Sequence, residues 1–205
     1  MAMRHRQPKD IDLATRKQDR RELRKFFESE GYEVDRDMLV AMEGTRYLFR
    51  NRERFIDVDV WVDVLDLCHR LDISDRLGIG PTLRIEDLVL SKLQIVELTM
   101  GDLEDLATMF YVHELSNERG GPDNPEVIDV NYLTGILGDD WGFWRTANAN
   151  LEKLNEHVGP DARRKVQKLI DLVGASPKTT RWKLRARIGE RVQWWQDVDI
   201  PRDTY

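Results

Sequence analysis

The chain has 205 residues, of which 40% are hydrophobic and 34% charged, and its formal net charge is −6. Such a composition is typical of a soluble globular protein, and no apolar stretch approaches the roughly 18 residues of a membrane span. The single cysteine, Cys68, excludes an internal disulfide and fits a reducing compartment. Because no apolar signal core follows the basic N-terminal residues, we expect a cytoplasmic protein that does not act in a membrane.

The charges are unevenly distributed along the chain. Residues 1–26 carry nine basic and four acidic side chains, and residues 161–191 carry ten basic and three acidic ones. The segment between them is strongly acidic. Basic flanks around an acidic centre suit a polyanion held against bound metal, although ordinary helical surfaces show the same segregation.

The N-terminal part predicts a strand, a helix and a hairpin, in that order. Residues 10–14 alternate between carboxylate and apolar side chains, which is typical of a short strand. Residues 19–30 carry an apolar helical stripe that ends before Gly31. The segments 45–50 and 55–67 read as two antiparallel strands joined by a turn.

The last of these strands has an unusual pattern of side chains. Its even positions are Ile56, Val58, Val60 and Val62, and its odd positions are Asp57, Asp59, Trp61 and Asp63. Period-2 alternation therefore gives one oily face and one face with a row of carboxylates. Aspartate is a poor strand former and like charges repel, so we expect a cation among them. The alternative is the solvated outer face of an edge strand.

Beyond residue 84 the patterns predict helices and no strand. The predicted helices are 85–98, 99–115, 130–137, 140–157, 161–173 and 179–196. Lys92 lies among the apolar side chains of the first helix, so it either reaches past them to water or meets a buried anion. Thr99 and Asp102 form a capping box for the second helix. We expect an α+β protein with an α/β core at residues 1–84 and a helical region at residues 85–205.

Paired carboxylates on neighbouring strands are suited to magnesium chemistry. Two aspartates at i and i+2 on one strand, with a third on the next strand, can hold one or two Mg²⁺ ions through oxygen ligands. Two such ions roughly 3.5–4 Å apart activate an attacking hydroxyl and steady a leaving pyrophosphate. Phosphoryl and nucleotidyl transfer depend mainly on this neutralisation and on in-line positioning.

Two segments of the chain resemble a known family. Residues 6–13 (RQPKDIDL) and 58–63 (VDVWVD) resemble the polymerase-β-type nucleotidyltransferase superfamily, in particular small bacterial nucleotidyltransferases and the abortive-infection toxin branch. The resemblance implies a small mixed sheet and a nucleotide-binding transferase that moves a nucleotide from a nucleoside triphosphate to an acceptor that it does not name, with RNA and protein as the candidates. It implies that Asp10 and Asp12 are the catalytic pair and Asp59 the third carboxylate, all three being Mg²⁺ ligands.

The same resemblance assigns further charged residues. They are Asp57, as another metal ligand, and Asp63 on the face of Asp59; Lys92, Arg6 and Lys9, as nucleotide-binding residues; and Asp102 and Asp105, in a segment similar to one that follows the lysine in the toxin branch. By periodicity Asp105 lies away from the apolar stripe of its helix, so its assignment depends on the resemblance alone.

One element of the family pattern is missing before Asp10. A Gly-Gly/Ser motif should lend backbone N–H groups to the nucleotide phosphates, and the first nine residues do not contain it. We therefore expect an N-terminally truncated core. Two functions stay open: a Mg²⁺-dependent nucleotidyltransferase, and a catalytically impaired relative that binds nucleic acid or a partner protein.

Two other features are candidate sites. Cys68 and His69 are adjacent, but one cysteine and four scattered histidines do not make a zinc motif. Five tryptophans near the basic C-terminal stretch either stack on nucleic-acid bases or belong to the helical core. These are Trp141, Trp144, Trp182, Trp194 and Trp195.

Overall fold

The structure is a computed structural model that describes residues 10–51, 53, 56–78, 80–118 and 127–197. The expectation of a mixed α+β protein is confirmed. The chain divides into two compact units, Met1–Asp66 with Asp72–Pro81, and Leu67–Leu71 with Thr82–Tyr205. Each unit is described by itself below.

The first unit is built on a four-stranded sheet in the order β1-β4-β3-β2. Its strands are β1 (Asp10–Thr15), β2 (Glu33–Val34), β3 (Arg46–Arg50) and β4 (Asp57–Val62). β1 runs parallel to β4, whereas β3 is antiparallel to both β4 and β2. Two helices, α1 (Arg20–Ser29) and α2 (Arg36–Ala41), connect these strands.

The core of this unit lies on one face of the sheet. The β-branched side chains of β4 pack with aromatic residues of α1 and β3, and Phe27 stacks on Phe49 at 4.8 Å between ring centroids. Val58 and Val60 are almost fully buried. The alternation therefore works as predicted for β4, because its oily positions face the core and its carboxylates face the other way.

Two details of this unit differ from the prediction. The strand expected at residues 55–67 is divided at Asp63, whose φ of 60° ends β4 before a short strand β5 (Val64–Asp66). The sequence analysis also missed β2 and α2. A signal for α2 was present, since the Asp35 side chain caps it by accepting from the Met38 N–H at 3.0 Å. A further short strand, β6 (Arg70–Asp72), follows β5 in the chain.

The second unit is mostly helical. Its helices are α3 (Ile85–Leu93), α4 (Met100–Val112), α5 (Val130–Asp139), α6 (Trp141–His157), α7 (Pro160–Ala175) and α8 (Thr180–Ile188). α6 is central and packs against the other five. Its apolar stripe includes Leu151 and Leu154, both fully buried. The helical C-terminal half was thus predicted in its main elements.

The prediction that no strand follows residue 85 is wrong. A parallel pair, β7 (Glu114–Ser116) and β8 (Val127–Asp129), lies between α4 and α5 in the chain. Each strand has three residues, which is too short for alternation to be recognised. The last predicted helix is also shorter than expected, because α8 ends before Gly189, which has a φ of 61°.

Within the residues that the structure describes, no helix combines the length and the apolar character needed to cross a membrane.

Candidate functional site

The pairing of β1 with β4 determines the position of the predicted carboxylates. In the parallel register Asp10 lies opposite Asp57, and Asp12 lies opposite Asp59. Residues opposite one another on neighbouring strands point to the same face, and the strands are about 4.8 Å apart. The four side chains therefore lie on one face of the sheet, opposite the hydrophobic core. We call them the carboxylate face.

A cation already lies on the carboxylate face. The Arg46 side chain on β3 donates from Nε to both oxygens of Asp59, at 2.9 Å to Oδ1 and 3.0 Å to Oδ2, and from Nη2 to Oδ2. Only 12% of the Arg46 side chain and 10% of the Asp59 side chain are exposed. The guanidinium also lies 4.4 Å from the ring centroid of Trp61. It thus supplies the positive charge that the row of aspartates requires.

A second arginine of β3, Arg50, lies near Asp57 on the carboxylate face. Arg50 lies 3.7 Å from an Asp57 oxygen and 3.0 Å from an Asp35 oxygen, and its side chain is half exposed. The sequence analysis missed both arginines. The sequence contained a signal for them, because Arg46 and Arg50 lie on the same face of a strand that was predicted to pair with β4.

Asp10 and Asp12 are in a different environment from Asp59. They lie on β1, an edge strand, and both residues are exposed. The neighbouring Ile11 and Leu13, on the core face of the same strand, are exposed as well. The carboxylate face is therefore open to solvent at β1 and closed by Arg46 at β4.

Carboxylate oxygens are suitable Mg²⁺ ligands in kind, and Asp12 and Asp59 are in register. Their present arrangement is less suitable, because Arg46 engages both oxygens of Asp59. In the part of the chain that the structure describes, no group of three or more His, Cys, Asp or Glu side chains is placed to hold a metal ion. Asp59 can join Asp10 and Asp12 in a ligand set only if Arg46 releases it.

Asp63 does not belong to the carboxylate face. It was expected on the same side of the strand as Asp59, but its left-handed backbone conformation ends the strand there. Its Oδ1 accepts from the Lys17 N–H at 3.1 Å, so the side chain closes a turn beside the end of β1. Asp and Asn tolerate this conformation better than other side chains, which accounts for an aspartate here.

The downstream residues form a separate cluster in the second unit. Lys92 Nζ lies 2.9 Å from an Asp102 oxygen and 3.0 Å from an Asp105 oxygen. Lys92 was expected either to reach water or to meet an anion, and its ion-pair partners are these two aspartates of α4. The structure therefore brings together the three residues that the resemblance alone had connected. We call them the lysine cluster.

Asp102 of the lysine cluster also caps the N-terminus of α4, as predicted. Thr99 and Asp102 form the capping box, with the Thr99 Oγ1 donating to Asp102 at 2.7 Å. Burial acts to raise the pKa of Asp102, but hydrogen bonds from Lys92 and Thr99 outweigh it and hold this pKa below its usual value. Burial likewise acts to lower the pKa of Lys92, but its bonds to Asp102 and Asp105 outweigh burial and raise it. Lys92 and Asp102 are thus both charged near neutral pH.

Other sequence candidates have structural explanations or lie outside the described residues. Arg6 and Lys9, predicted to bind nucleotide, are outside them. His69 is buried, and desolvation lowers its pKa to about 4, partly opposed by the charge of Asp140. Its Nε2 forms a hydrogen bond of 2.8 Å with Thr146 Oγ1. His69 is therefore a neutral core residue.

Comparisons with known proteins do not identify a family. No protein-family model matches the chain, and neither the curated proteins nor the solved structures include one that matches it.

Proposed function

We propose that the chain is a Mg²⁺-dependent nucleotidyltransferase-like protein that transfers a nucleotide from a nucleoside triphosphate to an acceptor hydroxyl on an RNA or a protein. The observation that supports this proposal is the register of β1 with β4, which pairs Asp12 with Asp59 on the face away from the core. A sheet with two carboxylates on its edge strand and a third on the neighbouring strand is the arrangement that the sequence resemblance implies.

In this proposal each carboxylate has a distinct part. Asp10 and Asp12 offer oxygens from the open side of the face, and Asp59 offers them when Arg46 releases it. Asp57 stands beside Asp10 as a further ligand. Bound Mg²⁺ would supply charge neutralisation for the triphosphate and activation of the acceptor hydroxyl. The assignment of Lys92, Arg6 and Lys9 to nucleotide binding stays a prediction.

The second candidate is a catalytically impaired relative that acts by binding. The observation that favours it is the pair of Arg46 with Asp59, since a buried arginine that occupies both oxygens of the third carboxylate takes the position of a metal. A guanidinium and a divalent cation compete for the same oxygens. If Arg46 never leaves, Asp10 and Asp12 alone form a weak, exposed site.

Calorimetric titration of each nucleoside triphosphate, with and without Mg²⁺, separates the two candidates. For the enzyme we expect binding that requires Mg²⁺ and that Asp12→Asn abolishes, because the substitution removes a ligand charge and keeps the shape. Asp37→Asn is a matched control, since Asp37 is an exposed aspartate of α2 in the same unit and off the carboxylate face. Absence of Mg²⁺-dependent binding for all four nucleotides would leave only the second candidate.

A variant of Arg46 tests the competition directly. In Arg46→Gln the guanidinium charge is lost and the amide still reaches Asp59. If Arg46 and Mg²⁺ compete for Asp59, Mg²⁺ should bind this variant more tightly than the wild type, because the competing guanidinium has been removed. If Mg²⁺ affinity is unchanged, Asp59 is not part of the ligand set.

A further inference from the structure

The second unit contains a cavity of about 490 Å³ that the proposed function does not use. It lies at the start of α6 and beside α8, and residues 68–70 and 193–196 form its other walls. A drug-sized or nucleotide-sized ligand occupies a site of this volume. We call it the tryptophan cavity.

Three indole rings line the cavity. Trp141 and Trp194 meet edge to face with 5.9 Å between ring centroids, and Trp194 and Trp195 do so at 4.7 Å. Trp141 is buried, whereas Trp194 and Trp195 are half-buried. By contrast, Trp144 and Trp182 pack against each other outside the cavity. Of the five tryptophans singled out in the sequence, three therefore line one concave site.

The wall formed by Trp194 is fixed in place. Its Nε1–H donates to Thr146 Oγ1 at 3.1 Å, and the same hydroxyl bonds to His69 Nε2. The backbone N–H of Gln196 donates to the Cys68 carbonyl at 2.9 Å. Gly142 allows this close approach, because a Cβ there would lie 2.6 Å from the Trp194 carbonyl oxygen. The cavity is thus formed before any ligand enters, which lowers the entropy cost of binding.

Positive side chains outnumber negative ones around the cavity by three to two. Arg70, Arg181 and Arg185 line it together with Asp139 and Asp140, and the neutral His69 adds no charge. Arg185 is committed to the structure, since it donates to two backbone carbonyls and lies 4.7 Å from the Trp141 ring.

Arg181 is the arginine best placed to exchange partners. It reaches Asp139 and Asp140 only at 3.5 and 3.6 Å, and its side chain is 73% exposed. Exposed ion pairs of this length contribute little to stability, so the guanidinium can turn to another anion at low cost. A phosphate offers it a bidentate partner.

We propose that the tryptophan cavity binds one nucleotide of a single-stranded nucleic acid, with the base against the Trp194–Trp195 rings and a backbone phosphate on Arg181. Aromatic rings beside arginines are the combination by which proteins hold unpaired nucleotides, because every base has a face to stack and every linkage carries a negative charge. The ligand is a different one from the triphosphate of the carboxylate face, and this proposal does not depend on the proposed function.

Fluorescence anisotropy with labelled, mixed-sequence eight-nucleotide RNA and DNA strands tests the proposal on the full chain at low salt. We expect wild-type binding to one or both strands. Trp195→Ala should weaken it about tenfold or more, because one stacking platform is lost. Arg181→Gln should weaken it severalfold and reduce the salt dependence by about one counterion, as expected for one phosphate contact.

Two controls make the result specific. Arg187→Gln removes an exposed arginine of the same helix that does not line the cavity, so it should leave affinity almost unchanged. Asp37→Asn, at an exposed position of α2 in the first unit and off the carboxylate face, should leave it unchanged too. The proposal fails if the wild type binds neither strand, or if Arg181→Gln and Arg187→Gln weaken binding equally. Circular dichroism verifies that Trp195→Ala is folded, and Arg181→Gln decides the matter if it is not.

Discussion

The Arg46–Asp59 pair of the carboxylate face and the lysine cluster are built from similar residues but in opposite ways. On the carboxylate face, Arg46 holds Asp59 through three short contacts, and both side chains are about nine-tenths buried. In the lysine cluster, Lys92 is shared between two aspartates, its side chain is 31% exposed and that of Asp105 is 46% exposed. One cluster is a closed pair, and the other is a partly solvated triad.

The difference in burial between the two clusters determines which of them can change its partners. A planar guanidinium and a carboxylate that match in a buried site cost much free energy to separate, because each group alone would be an unpaired buried charge. An ammonium is a point charge that accepts several geometries, and water reaches Lys92 already. Separating Arg46 from Asp59 therefore has a high free-energy cost, which a metal ion that binds Asp59 must outweigh, whereas the lysine cluster can exchange partners at low cost.

The largest effect should follow from removing Arg46. Arg46→Met leaves Asp59 buried and unpaired, so the free energy of unfolding should fall by about 3–5 kcal/mol in urea titration. The half-exposed Arg50 of the same strand provides the matched control, and Arg50→Met should cost well under half as much. A second substitution, Asp59→Leu in the Arg46→Met background, should recover much of the loss because no buried charge is left. Equal losses for Arg46→Met and Arg50→Met would mean that the pair is not effectively buried.

The next effect concerns the pH dependence of the second unit. The pKa of His69 is lowered to about 4 from 6.5, so the unfolded chain binds the extra proton over this interval and the folded chain does not. The effect of His69 on stability should therefore be a loss that grows as the pH drops from 6.5 to 4, reaches about 3 kcal/mol and then levels off. His69→Gln should remove this slope while Arg46→Met retains it. A wild-type slope that persists in His69→Gln would assign it to another group.

The pattern of alternation predicted the carboxylate face well, but it did not reveal what closes it. Asp10, Asp12, Asp57 and Asp59 could be assigned to one side of their strands because alternation is a local property. The contact of Arg46 with Asp59 depends on the register between β3 and β4. This register is set by the turn that joins the strands and does not follow from the alternation within either strand. The sequence therefore showed a charged residue on each predicted strand, but it did not show that Arg46 and Asp59 would pair.

Single residues with unusual backbone conformations account for the other errors. The alternation continues through Asp63 and Val64 and predicts an unbroken strand, yet the positive φ of Asp63 ends the strand and removes its side chain from the carboxylate face. In the second unit the capping box identified the start of α4 correctly, because it joins two residues only three apart in sequence. The contact of Lys92 with Asp102 joins two helices and was suggested only by the resemblance.

A smaller effect should follow from removing Lys92. Lys92→Met breaks both bonds of the lysine cluster, but Asp102 and Asp105 can be hydrated, so we expect a loss of about 1–2 kcal/mol. The contribution of Asp102, whose pKa is lowered from 3.8, is present above that pH and is lost as the pH falls through the folded value. The contribution of Lys92, whose pKa is raised from 10.5, is present below that pH and is lost as the pH rises further. The difference between Lys92→Met and wild type should therefore be constant from about pH 5 to 10; a difference that changes within this window would contradict the ion pair.

The smallest effect should come from Asp105→Asn. Asp105 is the most exposed member of the lysine cluster, and Lys92 keeps its bond to Asp102 when Asp105 is neutral, so the free energy of unfolding should change by less than about 1 kcal/mol. Asp102→Asn is the informative comparison, because it also weakens the capping box and should cost more. Added salt should diminish the Asp105→Asn effect and leave that of Arg46→Met nearly intact, since screening acts on solvated charges far more than on buried ones. Salt sensitivities of the same size at the two clusters would remove the contrast between a closed pair and an open triad.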